Sequence, residues 1–132
     1  MTPNNSENGI LWLKLDIKSK EHLRRLYPPK YPNSFYDHVT LAYDIPRSLY
    51  ADLVGNHAAA KVQAYAVNEK VEAVRVQTTN LPDSYGAPHI TLSTAAGIKP
   101  YESVTMLHDT HDEIAVPEPF ELTGTVEFVA LQ

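Results

Sequence analysis

The sequence predicts an α+β domain, and three observations carry that prediction. Residues 10–17, ILWLKLDI, alternate apolar and polar side chains with period two. Two further strand-like runs, 59–67 and 71–79, face each other as a hairpin across Asn68-Glu69-Lys70. Short amphipathic stretches stand between strands in the order strand–helix–strand–hairpin, which is not the regular alternation of a doubly wound parallel sheet.

Each element has a local reason. In the first strand Leu11, Leu13, Leu15 and Ile17 share one face, and Trp12, Lys14 and Asp16 share the other. Ser19 is placed to cap a helix over KEHLRRLY, with Leu23, Leu26 and Tyr27 on one side and Pro28-Pro29 as its stop. After a loop at 31–34, residues 35–43, FYDHVTLAY, are rich in aromatic and β-branched residues and read as a strand. Residues 47–54 predict a short helix that buries Leu49, Leu53 and Val54 and stops at Gly55-Asn56. The hairpin follows, then a loop at 80–86 and a strand at 88–94, PHITLST. Pro100 opens a helix through YESVTMLH. A terminal strand covers 120–131. Residues 1–9, MTPNNSENG, read as a flexible lead, and 10–132 as one domain.

Composition narrows the function classes. A chain of 132 residues has one domain's length and a sizeable core. Its 43% hydrophobic and 20% charged residues are those of a globular protein, which argues against wholesale disorder. The absence of cysteine excludes a disulfide scaffold, a thiol nucleophile and Cys-ligated metal sites. The lead has neither a basic nor an apolar region, so no secretory signal is read there. No apolar run is long enough to span a bilayer, so a cytoplasmic protein with no membrane partner is expected. Eleven Lys and Arg against sixteen Asp and Glu give a net charge of −5, ill suited to gripping a long run of phosphates. A small anionic ligand or a single nucleic-acid end fits that charge better. A monomer without a cofactor is expected.

The chemistry-bearing signal is a repeated motif. His38-Val39-Thr40-Leu41 and His89-Ile90-Thr91-Leu92 stand 51 residues apart, each in a predicted strand. A single H-x-T is ordinary strand composition. Two copies with the same flanking leucine and the same strand phase are not. Residues i and i+2 of a strand point to one face, so each motif sets an imidazole beside a hydroxyl. Imidazoles titrate near ~6.5, so one can accept a proton while the other donates one. Two of them flanking a phosphorus can serve as base and acid in an in-line displacement, each transfer contributing ~10²–10⁴ in rate. The hydroxyls of Thr40 and Thr91 can donate to non-bridging oxygens and stabilise the charge that develops there. This chemistry requires no metal.

The paired motifs resemble the signature of the two-histidine (2H) phosphoesterase superfamily, whose members carry two H-x-[ST]-hydrophobic motifs. The resemblance runs from about Leu11 to Leu131, and only the motifs are specific. Residues 88–107, PHITLSTAAGIKPYESVTML, look most like the second motif of 2′,3′-cyclic nucleotide phosphodiesterases and of the cyclic phosphodiesterase domain of fungal tRNA ligases. The resemblance implies a bilobal α+β fold, with antiparallel sheets forming a concave cleft and helices packed outside. Leu11, Leu13, Leu15 and Ile17 would then face helices, and Trp12 and Lys14 the cleft. It implies metal-independent hydrolysis of 2′,3′-cyclic phosphates of nucleotides or RNA ends, with a 2′-phosphate as product. By analogy His89 is the general base and His38 the general acid, with Thr40 and Thr91 on the phosphate. Tyr36, which shares the parity of His38, is a candidate for stacking on a base, as are Tyr85 and Trp12. The motif spacing is shorter than in many members, and no kinase or ligase domain accompanies the motifs within these 132 residues. A free-standing minimal domain is therefore expected. It suits RNA ends, cyclic nucleotides, or the cyclic and 2′-5′-linked messengers that some viral members degrade. A non-catalytic module that binds nucleotides or RNA ends is the alternative from another class.

Other polar features rank lower. His108-Asp109-Thr110-His111-Asp112 resembles a metal site but follows a predicted helix end, where such residues usually face solvent. His22 and His57 read as surface residues. Lys99 either approaches a phosphate or is exposed, and Ser93, in phase with Thr91, leaves room beside it.

Overall fold

The computed structural model describes residues 8–85, 87–108 and 113–131. Its elements run β1 (Asn8–Leu15), α1 (Ile17–Leu26), β2 (Asn33–Ser34), β3 (His38–Pro46), a 3-10 turn (Ala51–Leu53), β4 (His57–Val67), β5 (Val71–Thr78), β6 (His89–Thr94), α2 (Glu102–His108) and β7 (Glu113–Ala130). The seven strands make one antiparallel sheet in the order β2-β6-β5-β4-β7-β1-β3. The domain is thus α+β, and its sheet is continuous. β4 and β7, paired from His57–Thr125 to Ala66–Glu113, join the half that carries β3 to the half that carries β6. Among the described residues no helix is long and apolar enough to cross a membrane.

Alternation sorts the two faces. Leu11, Leu13 and Leu15 of β1, Val39 and Leu41 of β3, Val74 and Val76 of β5, and Ile90 and Leu92 of β6 form the main core, with Leu23 of α1 among them. Burying a leucine or isoleucine fully is worth about 1.5–3 kcal/mol, so this face holds the fold together. Trp12, Lys14, His38, Thr40, His89 and Thr91 alternate with those residues and fall on the other face. Helix α2 lies on that second face, where Met106 and Leu107 pack with Ala66, Val71 and Ala73. The expectation that helices pack away from the cleft therefore holds for α1 and fails for α2, which forms part of the cleft wall.

Several local expectations are revised. β1 begins at Asn8, so the flexible lead does not extend to residue 9; residues 1–7 lie outside those described. Asp16, not Ser19, caps α1, its carboxylate accepting from Ser19 N at 2.8 Å. Ser19 Oγ instead accepts from Thr123 N on β7. Ile17 is the first helical residue and is 74% exposed, so it does not continue the apolar face of β1. The helix expected at 47–54 shrinks to the 3-10 turn, with Leu49 and Val54 exposed. Pro100 precedes α2 by two residues, its carbonyl accepting from Ser103 N. The last strand begins at Glu113, not Phe120. Pro117 and Pro119 argue against a strand because proline cannot donate to a ladder. The fold sets both in a bulge between the Ala115–Ala64 and Phe120–Val62 pairs, opposite Gln63 alone.

One crossing links the two ends of the strand order. Phe35 N donates to Leu92 O at 2.8 Å and Tyr36 N to Thr91 O at 3.1 Å, so this segment runs along β6. Tyr36 then turns the chain with a left-handed φ of 51°. Leu15 N donates to Asp37 O, and His38 pairs with Lys14 to start β3. Residues 33–38 therefore bridge the two ends of the strand order. Positive φ at a tyrosine costs on the order of 1–3 kcal/mol. It is held by complete burial of the ring and by a 2.6 Å hydrogen bond from the Tyr36 hydroxyl to Tyr27 O.

β1 meets β7 so closely at Gly124 that a Cβ there would lie 2.2 Å from Lys14 O. Gly124→Ala should therefore destabilise the protein by about 1–3 kcal/mol, the range for overpacked interiors. Urea denaturation checks this, and an unchanged midpoint would refute the close packing of β1 on β7.

Candidate active site

The crossing at 33–38 brings the two motifs together. His38, Thr40, His89 and Thr91 all line one cavity of about 170 Å³, with Phe35, Asp37, Tyr85, Pro100, Tyr101 and Val104. A larger surface hollow of about 620 Å³, lined by residues such as His57, Lys61, Gln77 and Glu121, contains none of the four motif residues.

Each imidazole is oriented through Nδ1. His38 Nδ1 lies 3.1 Å from Asp37 Oδ2, and the carboxylate also accepts from Lys14 Nζ and, at 3.4 Å, from Lys20 Nζ. Trp12 packs against His38, its ring centroid 4.1 Å from that of the imidazole, and its indole N–H donates to Glu127. His89 is nearly buried, at 8% exposure, and its Nδ1 is 2.8 Å from Ala87 O. A carbonyl only accepts, so Nδ1 carries the proton and Nε2 of the neutral ring is a lone pair. That Nε2 is 2.9 Å from Ser103 Oγ, which is also 2.8 Å from Thr91 Oγ1 and 2.7 Å from Pro100 O.

Burial is the largest influence on both imidazoles and holds each below the usual value. For His38 the bond and charge of Asp37 push back upward, and Lys14 pushes down. For His89 the Ala87 carbonyl pushes upward, while the charges of His38 and Arg75 push down. Burial would raise the Asp37 carboxyl, but the bonds from Lys14 and His38 outweigh it and keep the group ionised below the usual carboxylate range. The site thus holds a carboxylate-backed imidazole facing an imidazole backed by a neutral carbonyl.

The remaining candidates fall as follows. Tyr36 is wholly buried in the main core, so it is not available to stack on a base. Its parity argument failed because the left-handed turn at Tyr36 interrupts the strand before His38. Tyr85 does line the cavity, and its ring lies 5.8 Å from that of Tyr43. Trp12 reaches the site through His38 and is not among the lining residues. Ser93 is buried, donating to Glu72 and accepting from Tyr31 N, which makes it a structural group. Lys99 and His57 are exposed, as is His22, which stacks on Phe120. Among the described residues no three metal-ligating side chains converge; residues 109–112 of the metal-like run lie outside them.

Asp37, Ser103 and Tyr101 escaped the sequence reading. Strand parity sets Asp37 opposite His38, and only the turn at Tyr36 brings its carboxylate back to the ring. Tyr101, 63% exposed at the cavity wall, and Ser103 belong to the approach to and first turn of α2, whose position over β5 and β4 no local pattern encodes.

No protein-family profile matches this chain, and no curated protein matches it. Its fold is similar to that of the protein in "Crystal Structure of Fungal RNA Kinase", with a TM-score of 0.67 and 14% sequence identity, over 96% of this chain and 46% of that one. The chain therefore spans less than half the length of that structural neighbour.

Two outcomes follow from the electrostatics. Because both imidazoles titrate lower in the folded state than in the unfolded one, the unfolded chain takes up these protons first as pH falls. Stability is then lost as pH drops through about 6.5 toward the folded values. Urea midpoints at a series of pH values should show this decline, and replacing both His38 and His89 with Gln should flatten it. Separately, Asp37→Asn removes the charge that raises His38, so its imidazole should titrate lower still. An NMR titration in which His38 stays put or moves up would contradict this coupling.

Proposed function

We propose that this protein is a metal-independent phosphodiesterase that opens 2′,3′-cyclic phosphates at nucleotide or RNA ends. The observation that carries the reading is the convergence of two imidazole–hydroxyl pairs, 51 residues apart in the chain, on one small cavity. In the proposed reaction a water oxygen bonds to phosphorus while the bond to the ribose 3′ oxygen breaks. His89, held neutral with its proton on Nδ1, takes the water proton. His38, whose protonated form Asp37 stabilises, gives a proton to the departing 3′ oxygen. Thr40 and Thr91 donate to the non-bridging oxygens as their charge grows. The product is a 2′-phosphate, and the pair resets by exchange with solvent.

Size favours a nucleotide or RNA terminus over a cyclic dinucleotide messenger. Sites for whole drug-sized ligands occupy about 300–1,000 Å³, whereas this cavity measures about 170 Å³. It accommodates a phosphate and part of a ribose, leaving the base to the aromatic rim of Tyr85 and Tyr101. An RNA terminus also accords with the fold likeness to an RNA kinase and with an acidic chain that grips no long stretch of nucleic acid. The substrate then needs neither a membrane nor a second copy of the chain.

The wild-type protein should hydrolyse a nucleoside 2′,3′-cyclic phosphate in excess EDTA, with a bell-shaped pH profile. His38→Ala and His89→Ala should each lower kcat by ~10²–10⁴. The double variant should be little worse than either, since the groups act as a unit. Product regiochemistry by phosphorus NMR and a panel of cyclic mononucleotides, cyclic dinucleotides, 2′-5′ oligonucleotides and cyclic-phosphate-ended RNA test the substrate class. Binding without turnover would instead favour a nucleotide-binding module.

A further inference from the structure

Ser103 is fully buried and does not line the cavity, yet its hydroxyl touches two groups that do. Its oxygen lies 2.9 Å from His89 Nε2 and 2.8 Å from Thr91 Oγ1. Pro100 O, at 2.7 Å, is a third neighbour and only an acceptor. Counting protons decides what this junction can do. A serine has one proton and two lone pairs. While His89 is neutral, its bare Nε2 can take that proton, and Ser103 Oγ then accepts from Thr91. Once His89 is protonated, Nε2–H donates to Ser103 Oγ, and the serine proton turns to Pro100 O. Rotating one hydroxyl satisfies both states with no movement of the ring. The same arrangement occupies the Nε2 lone pair, so the base is not presented bare to the cavity.

Resting on the phosphodiesterase reading above, we propose that Ser103 is a positioning residue that connects the cavity to His89 through Thr91. In this relay Thr40 alone donates to a non-bridging oxygen, because the single proton of Thr91 is directed to Ser103. The attacking water gives a proton to Thr91 Oγ1 as its oxygen bonds to phosphorus. Thr91 passes its own proton to Ser103 Oγ, and Ser103 passes its proton to His89 Nε2. Each hydroxyl loses one proton and gains one, so the sum is a single proton moved from water to His89. Among the described residues the ionic groups acting on His89 are His38 from β3 and Arg75 from β5; Arg75 is itself paired with Glu113 of β7 and donates to Leu107 O near the end of α2. None of them stands between Thr91 and Nε2 in the hydrogen-bond chain.

The test combines kinetics with a titration of the ligand-free protein. Ser103→Ala should lower kcat for a nucleoside 2′,3′-cyclic phosphate by at least ten-fold and leave KM within two-fold. Thr91→Val should break the same chain from the cavity side, and Thr91→Ser should recover most of that loss. The Ser103→Ala/Thr91→Val double variant should be no slower than the slower single variant. Multiplying losses, or a Ser103→Ala enzyme with the wild-type kcat, would overturn the relay. In NMR, wild-type His89 should be the Nδ1–H tautomer, and its titration should move to lower pH in Ser103→Ala, because the protonated ring loses its Nε2 acceptor. An unmoved titration would also overturn the connection. If the wild type turns over no cyclic phosphate, the phosphodiesterase reading fails, and the NMR arm still decides whether Ser103 governs His89. Should Ser103→Ala not fold, Thr91→Val supplies the kinetic measurement and the wild-type tautomer the NMR one, an Nε2–H His89 overturning the connection.

Discussion

The hydrogen bonds from Phe35 N to Leu92 O and from Tyr36 N to Thr91 O are the constraint on which the site depends. They tie the chain to β6 two residues before it becomes β3. Without them the two motifs would sit near opposite ends of a seven-strand order. A sheet of this width twists, and its ends approach only if something draws them together. Here the strain of one left-handed tyrosine is offset by burying its ring and satisfying its hydroxyl. The core thus holds the geometry from one face, and the chemistry occupies the other.

That division also explains the charges. The chain is acidic as a whole, but Lys14 and Lys20 both converge on Asp37 beside His38. One carboxylate against two ammonium groups leaves a local positive excess next to the cavity. On the proposed reading, this local excess would favour a monoanionic phosphodiester although the protein's net charge is −5. Asp37 has a second role, since it fixes which nitrogen of His38 faces the cavity. Among the described residues His89 has no such carboxylate as a hydrogen-bond partner and relies on a carbonyl and a buried serine. This asymmetry distinguishes two motifs that are nearly identical in sequence.

What the sequence made legible follows from period two. Leu11, Leu13 and Leu15 separate from Trp12 and Lys14 by alternation alone, and the same rule sets His38 beside Thr40 and His89 beside Thr91. The hairpin between β4 and β5 was legible because Asn68 is a turn former, and its side chain accepts from Lys70 N and Val71 N. What stayed hidden depends on long-range packing. Tyr36 looked like a strand residue because no local signal reports a left-handed φ at a tyrosine. Pro117 and Pro119 concealed the first third of β7, since a bulge can absorb two prolines only when a neighbouring strand is there to bulge from. Ser103 looked like any first-turn serine until α2, packed on β5 and β4, brought it against His89 and Thr91 of β6.

β7 is 18 residues long and pairs with β4 along one side and β1 along the other. It also follows every other strand in the chain. During synthesis the ribosome therefore releases two partial sheets before it releases the piece that unites them. Until then β1 and β4 each present an open ladder able to recruit a foreign strand. The bulge around Pro117 and Pro119 falls on this late segment, where the missing donors make it a poor partner for anything but its own β4. The prolines that obscure β7 as a strand thus also leave this stretch of it with fewer ladder donors than the rest.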